Sequence, residues 1–145
     1  MNKPGITIVC GLAIFAASLA WAHDGVKNPA VKKRMELMKS ISASTKVLGD
    51  MAAGKAAFDG QAASRAIGGL TGDAARVTDL FEPQANDPAS ESKPGIWENW
   101  DDFTSKADKL FKVVLTSDVS SPEALQASMG KIGGACKACH STYKE

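Results

Sequence analysis

Apolar residues recur at steps of three and four in four separate stretches of the chain, which is the period of an amphipathic helix. The first stretch follows Asn28-Pro29, an N-cap and the proline that a first helical position tolerates, and it stops before Gly54. It predicts a helix over roughly residues 29–53. The positions that form its stripe are Val31, Met35, Met38, Ile41, Thr45, Leu48 and Met51.

Three further stretches have the same period, over about residues 59–81, 96–116 and 121–143. Between the second and third stretch, three prolines exclude a continuous helix from about 82 to 95. No stretch alternates with the period of two that a strand requires. We therefore predict an all-α fold, an antiparallel four-helix bundle in which residues 82–95 form a crossover.

The N-terminal residues carry a different pattern. Lys3 precedes an apolar run from Ile6 to Ala20, and Ala20-Trp21-Ala22 provides the small-x-small pattern of a cleavage site. The run is short compared with the roughly 20 apolar residues of a membrane span. We predict a signal peptide over residues 1–22, cleaved after Ala22, and one bundle domain over residues 23–145 in the periplasm, without stable membrane insertion.

The strongest chemical signal is Cys136-Lys137-Ala138-Cys139-His140 on the fourth stripe, the Cys-x-x-Cys-His pattern of covalent haem attachment. Each thiol adds across a haem vinyl group, and the histidine offers its imidazole to the iron. Half a zinc site and a redox-active disulfide are the alternatives. Cys10 leaves with the predicted signal peptide and His23 is the other histidine, so zinc would need two carboxylate ligands, an uncommon structural set. We predict one covalently bound haem c.

With this motif on the last helix of an exported bundle, the sequence resembles the class II cytochromes c, the cytochrome c-prime family. The resemblance covers essentially all of residues 24–145. Its marks are Arg34-Met35-Glu36-Leu37-Met38, Pro94-Gly95-Ile96-Trp97, and the segment from Cys136 to Lys144. It implies a mono-haem cytochrome that holds its haem through Cys136 and Cys139, with His140 as one axial ligand of the iron.

The resemblance also implies two behaviours. In low-spin members a methionine of the first helix binds the iron, and Met38 matches that position. High-spin members are five-coordinate, although some of them also carry a methionine there. Met35 lies three residues before Met38 and can share its side of the helix, whereas Met51 lies far along it. We expect Met38 to be the second axial ligand; the alternative is that these methionines only fill the core.

Two further residues are expected in the haem pocket together with Met35. Arg34 lies one turn before Met38, and its forked guanidinium suits a haem propionate. The alternative is an arginine exposed to solvent. Trp97, on the aromatic third stripe, is expected to form part of the core and the pocket wall.

The predicted function is a low-spin electron carrier that exchanges electrons with redox partner proteins of the periplasmic electron-transfer chain. The chain has 17 basic and 16 acidic residues without a basic stripe, so we expect no nucleic-acid partner. It shows no convergent acid, base and nucleophile, so we expect no enzyme. The alternative is a five-coordinate cytochrome c-prime that binds nitric oxide or carbon monoxide, and a haem-free thiol redox protein is more distant. A homodimer, common among high-spin relatives, is left open.

Overall fold

The helices and the crossover between them are described by a computed structural model over residues 25–145; the predicted signal peptide lies outside the described residues. Within that range, no helix is both long and apolar enough to cross a bilayer. The described part of the chain contains six helices: α1 (Pro29–Ala52), α2 (Gly60–Ala74), α3 (Val77–Phe81), α4 (Gly95–Glu98), α5 (Trp100–Leu115) and α6 (Pro122–Tyr143).

Three of the four long helices begin at a residue whose side chain caps the helix, and the predicted cap Asn28 is one of the three. The side chains of Asn28 and Asp59 each accept hydrogen bonds from the N–H groups of the second and third residues of α1 and α2. Ser121 accepts one from the third residue of α6. These bonds satisfy donors that have no partner inside the helix. At the other end of α1, Gly54 takes a left-handed φ of 68°, which confirms its predicted role as a stop.

The four long helices form a closed ring of contacts. Helix α1 packs against α2 and α6, and α5 packs against the same two helices. Each helix turns its apolar stripe inward, so that Leu48, Leu70, Val114 and Ile132 are fully buried at the centre. The predicted four-helix bundle is therefore confirmed, with α3 and α4 as short additions at its ends.

Two predicted helices are interrupted in the structure. The second stops at Ala74 and restarts at Val77, because the N–H of Arg76 bonds to the carbonyl of Asp73, three residues back instead of four. The third is broken at Asn99, whose backbone is not helical and whose side chain donates to the carbonyl of Gly95. At neither break does the sequence contain a proline or a helix-ending glycine that would predict it.

The crossover between α3 and α4 is anchored first at the start of α1. Asp87 is buried there, and its carboxylate accepts hydrogen bonds from the N–H groups of Lys27, Asn28 and Ala89 at 2.8–3.0 Å. These bonds hold the pKa of the Asp87 carboxyl below its usual value, and the bond from Ala89 has the largest effect.

A second anchor joins the crossover to the end of α6. The N–H of Lys93 donates to the carbonyl of Tyr143, and the N–H of Glu145 donates to the carbonyl of Glu91, each at 2.9 Å. The crossover thus connects the beginning of the first helix with the end of the last, which lie far apart in the sequence.

Replacement of Asp87 by asparagine is expected to lower the thermal unfolding midpoint of the holoprotein at neutral pH. A carboxyl whose pKa is lowered by folding stabilises the protein above its unfolded-state pKa of about 4, and that contribution is lost as pH falls through the folded-state pKa. The difference in unfolding midpoint between the wild type and Asp87→Asn should therefore become smaller below about pH 4. Circular dichroism melts across this range measure it.

Asp108→Asn is the matched control, since Asp108 is exposed and pairs only with Lys112 at the surface among the described contacts. A midpoint for Asp87→Asn equal to that of the control would contradict the anchoring role.

Candidate haem site

A cavity of about 830 Å³ lies inside the bundle, with walls from α1, α3, α4, α5, α6 and the crossover. This volume falls within the roughly 300–1,000 Å³ of pockets for small molecules and cofactors. Most of the wall is apolar. Its large apolar side chains are Val31, Met35, Met38, Ile41, Val77, Phe81, Ile96, Phe103, Leu110 and Met129.

Helix α6 brings the three residues of the attachment motif to this cavity. Cys139 and His140 follow Cys136 by three and four positions, so each lies one turn from it on the same side of the helix, and all three residues line the cavity. Both cysteines are half-buried, and neither forms a disulfide in the described part of the chain. His140 is more exposed. Two thiols and an imidazole beside an apolar cavity are a donor set that fits a covalently attached haem.

The electrostatics of the two thiols disfavour a reactive redox pair. Burial raises the pKa of both the Cys136 and the Cys139 thiols, whereas a reactive redox pair requires lowered values. Within residues 25–145, no group of three or more His, Cys, Asp or Glu side chains could hold a metal ion, and His23 lies outside that range. Desolvation, with the charge of Lys144, lowers the pKa of His140 and so favours the neutral imidazole that binds metals.

Helix α1 contributes the two predicted methionines to the same cavity. Met35 and Met38 both line it, and Met38 packs against the hydrophobic core. Met51 is buried and is not among the described lining residues, as its distance along the helix predicts. Met129 of α6 also lines the cavity. The structure therefore brings the candidate thioether ligands and the attachment motif together from two packed helices.

Arg34 lies at the cavity wall, but its side chain is directed to the chain's own backbone. It is 2% exposed, so the alternative of a solvent-exposed arginine is wrong. Its Nε donates to the carbonyl of Leu80 at 3.0 Å and its Nη1 to that of Ala85 at 3.1 Å, while Nη2 donates to the carbonyl of Pro83. Burial lowers the pKa of Arg34. These bonds join α1 to the end of α3 and to the crossover; a propionate contact stays a prediction.

The Trp97 ring packs against the Arg34 guanidinium. The Arg34 guanidinium lies 5.0 Å from the Trp97 ring centroid and 5.2 Å from that of Phe81, within cation–π range. The indole Nε1 of Trp97 donates to the Phe81 carbonyl at 2.8 Å. Trp97 packs on the core but is not among the described residues that line the cavity.

Two parts of the wall were not identified from the sequence. Residues 89–92 of the crossover line the cavity, and only the anchors described above place them there. Lys106 of α5 also lines it, between Phe103 and Ala107. Its position beside two buried residues of the third stripe is the one signal that could have identified it.

Comparisons with known proteins point to one family. A protein-family model described as Cytochrome C′ matches residues 29–144. A cytochrome c-556 from Agrobacterium tumefaciens (strain II Chrys) is 36% identical over 117 residues, covering 79% of this chain and 95% of that protein.

Solved structures give the same result for the fold. Cytochrome c′ from Rubrivivax gelatinosus has a TM-score of 0.74 and 29% identity, covering 80% of this chain and 94% of that one. The structure of oxidised R. palustris cytochrome c556 has a TM-score of 0.73 and 27% identity, covering 81% and 96%.

Arg34→Met, which keeps the stem and removes the hydrogen-bond donors, is expected to lower the free energy of unfolding by about 2–4 kcal/mol, because hydrogen bonds to a buried charged group are lost. Guanidinium chloride unfolding of the holoprotein measures this. Arg76→Met is the control, since the Arg76 side chain is 61% exposed and its ion pair with Asp73 is long at 3.9 Å. Equal losses in the two variants would contradict the role given to Arg34.

Proposed function

We propose, since the chain belongs to the cytochrome c-prime family of haem proteins, that it is a periplasmic electron carrier with a low-spin, six-coordinate haem c. Cys136 and Cys139 attach the haem, and His140 and Met38 are the axial ligands. As a carrier it transforms no substrate and passes electrons between redox partner proteins.

The observation that carries this proposal is the placement of soft and nitrogen donors on two packed helices around one cavity. Met38 and Met35 come from α1, whereas the two thiols and the imidazole come from α6. A haem held in this cavity would draw its two iron ligands from side chains on different helices, Met38 and His140. Helices α1 and α6 provide them.

When bound, the haem supplies one-electron chemistry between its ferric and ferrous states. The residues of this chain hold it and adjust that chemistry. A thioether sulfur is a soft ligand that favours the reduced state and raises the potential. Apolar side chains form most of the cavity wall beside Met38, which is half-buried, whereas His140 is more exposed.

A second candidate function is that of a five-coordinate cytochrome c-prime that binds nitric oxide or carbon monoxide. Relatives named cytochrome c′ favour it, among them the one from Rubrivivax gelatinosus. Relatives named cytochrome c-556 are also similar. In this second case Met38 would only fill the space beside the iron, a use that its flexible side chain permits.

Met38→Ala is expected to convert a low-spin ferric haem into a high-spin one and to remove the weak long-wavelength band of thioether ligation. The reduction potential should fall, on the order of 100 mV within the roughly 0.8 V that axial ligands span. Visible spectra and potentiometric titration of the holoprotein measure both changes.

Met51→Ala is the matched control, because Met51 lies on the same helix and is buried away from the cavity. It should cost about 2–5 kcal/mol of stability and leave the spectrum unchanged. A wild-type spectrum that is already high-spin, and that Met38→Ala leaves unaltered, would reject the carrier in favour of the gas-binding function.

Expression with the native leader in a bacterium able to attach haem c should yield a periplasmic protein that starts at His23 and carries the mass of one haem. Cys136→Ser and Cys139→Ser should each lose one thioether bond, and the double variant should hold no covalent haem. Intact mass and the pyridine haemochrome spectrum test this. Wild-type protein without covalent haem would reject the proposal.

A further inference from the structure

An ion pair on α5 lies beside the cavity and is hydrogen-bonded to α6. Lys106 of α5 donates from Nζ to both carboxylate oxygens of Asp102, at 2.6 Å each. Tyr143 of α6 donates from its hydroxyl to Oδ2 of the same carboxylate at 2.5 Å. The Lys106 Nζ also lies 5.8 Å from the centroid of the Tyr143 ring. Two helices therefore fix this pair in one orientation.

The two charges of the pair are placed unequally. Lys106 lines the cavity and its side chain is 25% exposed, whereas Asp102 is not among the described lining residues and its side chain is 53% exposed. The cationic residue of the pair thus borders the cavity, and the anionic residue is the more exposed of the two. Solvent screens the outer charge more strongly than the inner one, so the pair leaves a net positive potential inside the cavity.

Tyr143 fixes the position of the Asp102 carboxylate through its hydroxyl hydrogen bond. Its side chain is 4% exposed and packs edge-on against Phe103, with ring centroids 5.5 Å apart. Burial first, and then the hydrogen bond to Asp102, raises the pKa of Tyr143 to about 12. The hydroxyl therefore stays protonated and remains a donor to Asp102 at any physiological pH.

We propose that Lys106 and Asp102 form an oriented ion pair that raises the reduction potential of the haem, with Tyr143 as the residue that positions it. The inference rests on the proposed haem site. Reduction adds one electron, supplied by a redox partner, and so lowers the charge of the haem by one. A cation at the cavity wall stabilises the reduced form relative to the oxidised form, and the apolar surroundings strengthen the effect.

Removal of the cation and removal of the anion should shift the reduction potential in opposite directions. Lys106→Met removes the inner cation and leaves the carboxylate, so the potential should fall. Asp102→Asn keeps the shape and removes the outer anion, so the potential should rise. Lys106→Arg keeps the charge and should stay near the wild-type potential, and the double variant should lie between the two single ones.

Helix α5 provides a matched control pair. Asp108 and Lys112 have the same spacing and the same polarity along the helix, but their side chains are 66% and 72% exposed, and neither is among the described lining residues. Asp108→Asn and Lys112→Met remove the same charges and should shift the potential less than the corresponding changes at Asp102 and Lys106.

The measurement is spectroelectrochemical titration of each holoprotein, after circular dichroism and intact mass have shown a folded chain with its haem. If Lys106→Met does not fold, Lys106→Gln replaces it. Shifts of the same sign for Lys106→Met and Asp102→Asn, or shifts no larger than those of the control pair, would overturn the ion-pair proposal. A wild-type protein that is five-coordinate would overturn the carrier function and leave the ion-pair prediction in force, whereas one without covalent haem would overturn both.

Discussion

The first and the last helix of the bundle domain border the same cavity, and much of the surrounding structure holds them there. Helices α1 and α6 pack directly against each other, yet they also border a space of about 830 Å³. The crossover holds this arrangement. Arg34 joins α1 to the carbonyls of Leu80, Pro83 and Ala85, and the backbone pairing of Lys93 with Tyr143 joins the same segment to α6.

A buried arginine used in this way stabilises the fold only because each of its three side-chain nitrogens donates to a backbone carbonyl. Removing a charged group from water is expensive, and the cost is offset when every donor finds an acceptor and aromatic rings cover the cation. Phe81 and Trp97 provide that cover. The residue that the sequence marks as a haem contact thus holds the cavity wall in place.

The bundle could be predicted from the sequence because its information is local. Stripes with a helical period give the helices, and Asn28, Asp59 and Ser121 give their starts. The attachment motif is local too, since three functional groups lie within five residues of one helix. The interruptions near Arg76 and at Asn99 arise from single hydrogen bonds that no composition rule reveals.

The remaining parts of the site depend on contacts between residues far apart in the chain. Arg34 reaches carbonyls about 50 positions away, and Tyr143 reaches Asp102 across 41 positions. A sequence shows that such side chains exist and that they lie near a stripe. It does not show which backbone oxygen or carboxylate folding will bring to them, and for that reason the roles of Arg34 and Lys106 emerge only from the structure.

The proposed function depends on Met38 and His140 both serving as ligands of the haem iron. The visible spectrum of the wild-type holoprotein, oxidised and reduced, with and without carbon monoxide, tests it most directly. Ligation of the iron by both residues predicts low-spin spectra in both redox states and a reduced spectrum that carbon monoxide changes little or only slowly. A high-spin spectrum in both states, with immediate formation of a carbon monoxide complex, would contradict it.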